Sequence, residues 1–337
     1  MTKPLKIVIP MAGFGTRLRP LTWSKPKPLV SLAGKTVLDY LIDMFSTIPN
    51  VKEAEFAFIL GPTMGDQIMD HTSQKYPDLH VDYPIQPEMK GQSDAFWQAR
   101  EFLHGPMLMA FSDTLIENDF SFLSDETADA IAWVKPVPDP RRFGVAEVNE
   151  NGWVTKLTEK PEDIDNNLAV VGCYYFSEAE ELLSAIEEQK QQGISLKGEY
   201  YLADAINIML ARGLKMRVET VETWLDAGTS AAVIETNRYL MDHGRENSRQ
   251  WADHPDSVII PPVNIHPDAK ISQSVLGPHV SLGAGADVKR SIIRDSIIGT
   301  GTSITDSHLE TSLIGHNTTI TGISGKLNLG DECQAQG

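Results

Sequence analysis

Three aliphatic–glycine pairs, Leu282-Gly283, Ile298-Gly299 and Ile314-Gly315, recur at intervals of 16 residues, and Val288, Ile304 and Ile320 keep the same interval. Leu276, Leu282 and Val288 are also six apart. A repeat this short cannot enclose a core of its own. It buries its aliphatics only by stacking on the repeat before it, so residues 257–330 are restricted to a β-solenoid. Upstream the pattern is different. Leu5–Pro10, Phe56–Leu60, Val81–Ile85 and Met107–Phe111 read as strands. Between them Val37–Ser46, Gly65–Tyr76 and Ser93–Leu103 carry helical spacing, the first with apolar residues at 37, 38, 41, 42 and 45. Such alternation requires a mostly parallel, doubly wound α/β sheet whose ligands bind at the carboxyl ends of the strands. The next part is more mixed. Ala130–Val134, Val145–Asn149, Thr155–Thr158, Val170–Phe176 and Met216–Val221 read as strands, with a hairpin at Asn151-Gly152. Glu178–Gln191, Leu202–Arg212 and Ala231–Met241 read as helices. A polar linker over 244–256 then separates an α/β domain, 1–243, from the solenoid.

One segment of the α/β domain stands out in charge. The first 38 residues hold seven Lys or Arg and no Asp or Glu, in a chain of formal net charge −17. Within Ile9–Leu29, a turn with Gly13 and Gly15 leads into Thr16 and Arg17, and Lys25 and Lys27 are set between prolines. Glycine lets backbone N–H groups approach an anion, and the cations add charge-assisted hydrogen bonds, so the segment suits a polyphosphate. It is not a dinucleotide fingerprint, because Leu18 stands where the third glycine belongs. Nor is Gly34-Lys35-Thr36 the end of a P-loop, since the first glycine of that motif would fall at Leu29.

The run G-x-G-T-R-x-x-P-x-T followed by P-K-P-L resembles the sugar-1-phosphate nucleotidyltransferase family. Ala12 replaces the first glycine of the usual G-G-x-G-T-R opening, a form closer to bacterial glucose-1-phosphate uridylyltransferases. The resemblance covers about residues 4 to 240. It implies a Rossmann-like sheet, and the repeats behind it resemble the left-handed hexapeptide β-helix of several such enzymes. It also implies a reaction in which a sugar 1-phosphate oxygen attacks the α-phosphorus of an NTP and pyrophosphate leaves. Catalysis then rests on positioning and charge neutralisation rather than on a protein nucleophile.

Residue by residue, Arg17 and Lys27 match the family's triphosphate ligands. Arg19 and Lys25 flank them, as phosphate ligands or as solvated surface charges. Asp113, after the strand Met107–Phe111, and Asp226, in W-L-D-A-G-T, match the Mg²⁺ ligands. Ala12, Gly13, Gly15, Thr16 and Ser112 fall at nucleotide-contact positions. In Gln86-Pro-Glu-Met-Lys-Gly91 the glutamine and glycine resemble the base readers of thymidylyl- and uridylyltransferases, which favours dTTP or UTP. The E-P-x-G-T of guanylyltransferases is absent, which leaves mannose-1-phosphate guanylyltransferase as an alternative. Lys160, in E-K-P downstream of R-F-G-V, resembles the lysine that grips the sugar phosphate. Gly144, Glu159, Asn167, Gly172 and Glu199 resemble sugar-pocket positions, and Trp224 packs either there or in the core. A catalytically silent nucleotide-sugar-binding subunit is the other alternative.

The acidic balance argues against nucleic acid or an anionic membrane as partner. No apolar run reaches membrane length, and Met1-Thr2 leads into a strand without a signal peptide. Cys173 and Cys333 lack metal-ligand spacing and read as free thiols of a cytoplasmic protein. His279, His308 and His316 read as surface histidines rather than as an acyltransferase base, and the flat solenoid faces suit a homo-oligomer.

Overall fold

The structure, a computed structural model, describes residues 3–337; Met1 and Thr2 lie outside them. Two compact units are present, one of residues 3–13 and 41–224, the other of 14–40 and 225–337.

The first unit is built on nine strands: β1 (Lys6–Pro10), β2 (Glu55–Ile59), β3 (His80–Asp82), β4 (Met107–Ala110), β5 (Ala130–Pro136), β6 (Gly144–Val148), β7 (Val154–Glu159), β8 (Leu168–Phe176) and β9 (Met216–Thr220). Their order is β7-β6-β8-β4-β1-β2-β3, with β5 joined to β8 and β9 to β5. The expected parallel sheet is its centre: β1 runs parallel to β2 and β4, and β2 to β3. Strand β8 runs antiparallel to β4 and β5, which admits the β6–β7 hairpin turned at Gly152. Val8, Ile59, Met107, Met109, Ala132 and Phe176 lie in its core, with helices α3 (Gln92–Gln98), α4 (Ala179–Gln191) and α5 (Leu202–Ala211) packed over it. Helix α3 is shorter than its apolar spacing predicts. After Gln98 the chain tightens into i→i−3 bonds, Phe102 N–H to Ala99 O at 2.9 Å and Leu103 N–H to Arg100 O at 3.3 Å. Ala99 and Leu103 stay buried without the helix, so apolar spacing alone did not mark its end.

In the second unit, residues 14–40 form three consecutive 3-10 turns, a small hairpin (Ser31–Leu32 with Lys35–Thr36) and the start of α1 (Val37–Met44). They pack with α6 (Ser230–Asp242) and the solenoid: Ala33 N–H donates to Asn237 Oδ1 at 2.8 Å, and Ser281 donates to the same oxygen at 2.8 Å. The solenoid is a left-handed three-sided β-helix of three five-stranded parallel sheets. Ile271, Val288, Ile304 and Ile320 lie in register, as do Leu282, Ile298 and Ile314, so the periodicity in the sequence is the inward ladder. At one corner a hydroxyl ladder replaces the missing cross-strand bonds. Ser274 Oγ accepts from Ser291 N–H at 3.1 Å, and Ser291 Oγ from Ser307 N–H at 3.1 Å. Asn247 and Ser248, in the polar stretch before the solenoid, bond Ile265 and Val263 and cap an otherwise open strand edge.

Glycines form another corner. A Cβ on Gly299 would come within 2.5 Å of the Gly315 carbonyl carbon and 2.7 Å of His316, and Gly283 and Gly315 are stacked the same way. Backbone cannot yield as a side-chain tip can. Gly299→Ala is therefore expected to destabilise the chain by about 1–3 kcal/mol, read as a lower Tm in calorimetry.

His279 and His316 are partly rather than fully exposed. His279 lies between Asp242 at 2.8 Å and Asp295 at 3.3 Å, His316 is half-buried, and only His308 of the three is exposed. No described helix is long and apolar enough to cross a membrane.

Candidate nucleotide and sugar-phosphate site

In the second unit the basic turn is closed by Gly15. It has φ 58°, where an L side chain is strained, and a Cβ there would lie 3.1 Å from Thr22 and 3.2 Å from Lys27. Thr22 donates to Gly15 O at 2.8 Å and Leu18 N–H donates to the same carbonyl at 2.9 Å. These bonds fold Gly15, Thr16, Arg17, Thr22 and Lys27 into one small loop. Arg17 and Thr16 are exposed on it, while Lys27 is 9% exposed. Lys25 belongs to neither of its sequence-based readings. It is buried and paired with Asp331 at 3.0 Å, so it is neither a solvated surface charge nor a phosphate ligand in this state. Arg19 is exposed. Asp226 also belongs to this unit. Its Oδ1 accepts the Gly228 N–H at 2.6 Å, and its carbonyl accepts from Thr236.

In the first unit, Ala12 and Gly13 follow β1. A Cβ on Gly61 would lie 2.7 Å from Ala12 O, and one on Gly13 would meet nothing within 4 Å. Gln86, 3% exposed, donates through Nε2 to Gly91 O at 3.0 Å and to Asp94 Oδ2 at 3.1 Å. Both partners only accept, which fixes the amide orientation and leaves Oε1 as the acceptor. Asp94 is held in turn by Lys190 at 2.5 Å, whose ammonium also lies over Tyr200. Neither Asp94 nor Lys190 was singled out from the sequence; Lys190, 96 residues further on, has no local signal linking it to Gln86. Gly91 has φ 98° and faces the Tyr200 backbone so closely that any side chain would collide. Ser112 and Asp113, half-buried, sit in the turn after β4, with Thr114 N–H bonded to Phe111 O.

The hairpin β6–β7 places Gly144 opposite Glu159. Lys160 follows at φ 49°, and its ammonium lies 3.6 Å from Glu159 Oε1 and 3.4 Å from the Tyr201 hydroxyl. Burial raises the Glu159 carboxyl above its usual range, with Lys160 opposing and Asp204 adding to the rise. The Lys160 ammonium is raised, its burial outweighed by Glu159 and Tyr201. Tyr201 was missed by the sequence reading, although it lies within K-G-E-Y-Y-L-A-D. Phe143 packs edge-on to Trp224 at 4.8 Å between centroids. Three expected residues do not join this cluster through any hydrogen bond described. Asn167 O accepts from Val137 and Ala169, and exposed Glu199 pairs with Leu196. Gly172, at φ 85°, makes the bulge of β8 against Phe111.

The first unit is an α/β domain centred on a parallel sheet, and the second holds a glycine-closed cationic turn. The nucleotidyl transferase family profile matches residues 6–243, and the chain belongs to that family of enzymes. It is 31% identical over 249 residues to the low-salt glycan biosynthesis nucleotidyltransferase Agl11 of Haloferax volcanii, covering 71% of this chain and 66% of that one. It is 28% identical over 317 residues to a glucose-1-phosphate thymidylyltransferase of Streptomyces griseus, covering 87% of each. Among solved structures, UDP-glucose pyrophosphorylase complexed with UDP-glucose shares the fold, with a TM-score of 0.60, 20% identity, and coverage of 72% of this chain and 100% of that one.

Proposed function

We propose that the chain transfers a nucleoside monophosphate from dTTP or UTP to a sugar 1-phosphate, glucose 1-phosphate foremost, releasing pyrophosphate and a nucleotide-sugar. The observation that carries this reading is the Lys160 cluster: a cation, a carboxylate and a phenol hydroxyl meet at one strand end, as a phosphorylated polyol needs. The named activities of the relatives agree with it. The attacking phosphate oxygen is already anionic, so the protein's part is to hold and neutralise. Arg17 and Lys27 take the triphosphate, Lys160 the sugar phosphate, and Glu159 and the Gly144 backbone the sugar hydroxyls. The fixed Gln86 amide offers Oε1 to a ring N3–H, which thymine and uracil carry and cytosine lacks. Gln86→Leu should lower kcat/KM for the triphosphate roughly fivefold, the worth of about 1 kcal/mol, with the KM for sugar 1-phosphate unchanged.

Asp113 and Asp226 would hold Mg²⁺. Two hard carboxylates suit an ion that keeps its remaining positions for water and phosphate. When bound, the ion would neutralise phosphate charge. Self-association and a cytoplasmic setting complete the proposal. Val258 and Ile292 stand exposed on one solenoid sheet, and Cys173 and Cys333 are unpaired. A monomer mass by light scattering would remove the oligomer.

The test is pyrophosphate release over dTTP, UTP, GTP, ATP and CTP with a panel of sugar 1-phosphates. Turnover with a pyrimidine triphosphate is expected. Turnover with GTP and mannose 1-phosphate alone would overturn the base assignment. Binding without turnover for every pair would leave a silent nucleotide-sugar-binding subunit.

A further inference from the structure

The Asp331 carboxylate ties the triphosphate loop to the last coil of the solenoid. Asp331 follows Leu329-Gly330 in that coil. Its Oδ2 accepts from the Ser24 hydroxyl at 2.6 Å. Its Oδ1 accepts the His316 backbone N–H at 2.7 Å and lies 3.0 Å from Lys25 Nζ. Lys25 and Asp331 side chains are 10% and 17% exposed, so the pair is largely out of water. Pro20 at the other end of the loop rests on the coil as well: a Cβ on Gly330 would come within 3.1 Å of Pro20 O.

Burial lowers the Lys25 ammonium despite its partner, whereas three hydrogen-bonded contacts hold Asp331 below the usual carboxylate range in spite of burial. His316 is held below its usual range by burial and then by the Lys25 cation, so it adds no competing charge. A pair so desolvated contributes little net stability, because losing water offsets most of the attraction. What it does fix is position. Lys25 is followed by Pro26, Lys27 and Pro28, and prolines at alternate positions restrict the backbone through which a shift at Lys25 could be absorbed.

We propose that Asp331 is a positioning residue for the transfer reaction, setting the Pro20–Pro28 segment, and with it Lys27, for the triphosphate. This rests on the reading of Arg17 and Lys27 as triphosphate ligands. The solenoid is then part of the nucleotide site's support, and not an independent appendage.

The test uses the full chain with Asp331→Ala and, should that variant fold poorly, Asp331→Asn, which keeps an acceptor for the His316 N–H. Amide hydrogen exchange over residues 20–28 should quicken. The KM for the triphosphate should rise about tenfold, the scale of a misplaced ligand, with the KM for sugar 1-phosphate unchanged. The double variant Asp331→Ala/Lys25→Met should be no worse than Asp331→Ala, since both remove one tie. Unchanged loop exchange, equal changes in the two KM values, or additive effects in the double variant would each overturn the proposal. Quickened exchange in a protein whose wild type releases no pyrophosphate with any pair supports the tether and sinks the functional reading instead. Normal wild-type turnover with an unaltered Asp331→Ala enzyme does the reverse.

Discussion

Arg17→Ala is expected to lower kcat by about two to three orders of magnitude, with Tm nearly unchanged. Removing one preorganised charge from a site where charge builds on phosphorus typically costs about 3–4 kcal/mol in the transition state. Arg17 is exposed on its 3-10 turn, and surface replacements of this kind cost within about 0.5 kcal/mol of stability. The loop's shape depends on other groups: the Gly15 backbone, the Thr22 hydroxyl and the buried stem of Lys27. Arg17→Lys should recover only part of the rate, because a point charge cannot replace the planar fork. Pyrophosphate release and calorimetry on the same preparations decide it; full turnover by Arg17→Ala would remove the turn from the site.

Lys160→Met should lower kcat/KM for sugar 1-phosphate about a hundredfold while the KM for the triphosphate stays within about twofold, the loss being one charge-assisted contact of roughly 3 kcal/mol. The side chain is half exposed, so methionine keeps the stem without leaving a cavity. The same variant carries a pH signature. Lys160 opposes the burial that raises Glu159 above its ordinary value of 4.5, so without the lysine that carboxyl rises further. A carboxyl with a higher pKa is neutral up to a higher pH, and the acid limb of kcat/KM should move upward in Lys160→Met. Lys160→Met combined with Glu159→Gln should lose that shift. A variant whose acid limb stays in place would show that Lys160 and Glu159 do not share a ligand.

Much of the fold was legible because its signals are local. The aliphatic period between Leu276 and Ile320 had one physical solution, and the β6–β7 hairpin was written in Asn151-Gly152. The direction of β8 was not, since strand orientation depends on which edge a chain returns to, and no residue in 168–176 records it. The end of α3 was misjudged for a related reason: Ala99 and Leu103 are core residues whether or not the turn around them is α-helical. At the site, short motifs marked Arg17, Lys27, Lys160 and Gln86 as candidates by type and spacing. They could not show that Lys190, through Asp94, fixes the Gln86 amide, or that Tyr201 stands over Lys160, because Lys190 is 96 residues from Asp94 and Tyr201 is 41 from Lys160.

By itself the sequence determined the two architectures, the cationic turn and the family, all of which follow from residue type at short range. Only the tertiary structure decided what each charge faces. Lys25 and Lys27 are two residues apart and chemically identical, yet one is paired with Asp331 in the last solenoid coil and the other packs beneath Gly15. A charge's role is set by what surrounds it, and long-range packing alone brings those surroundings together.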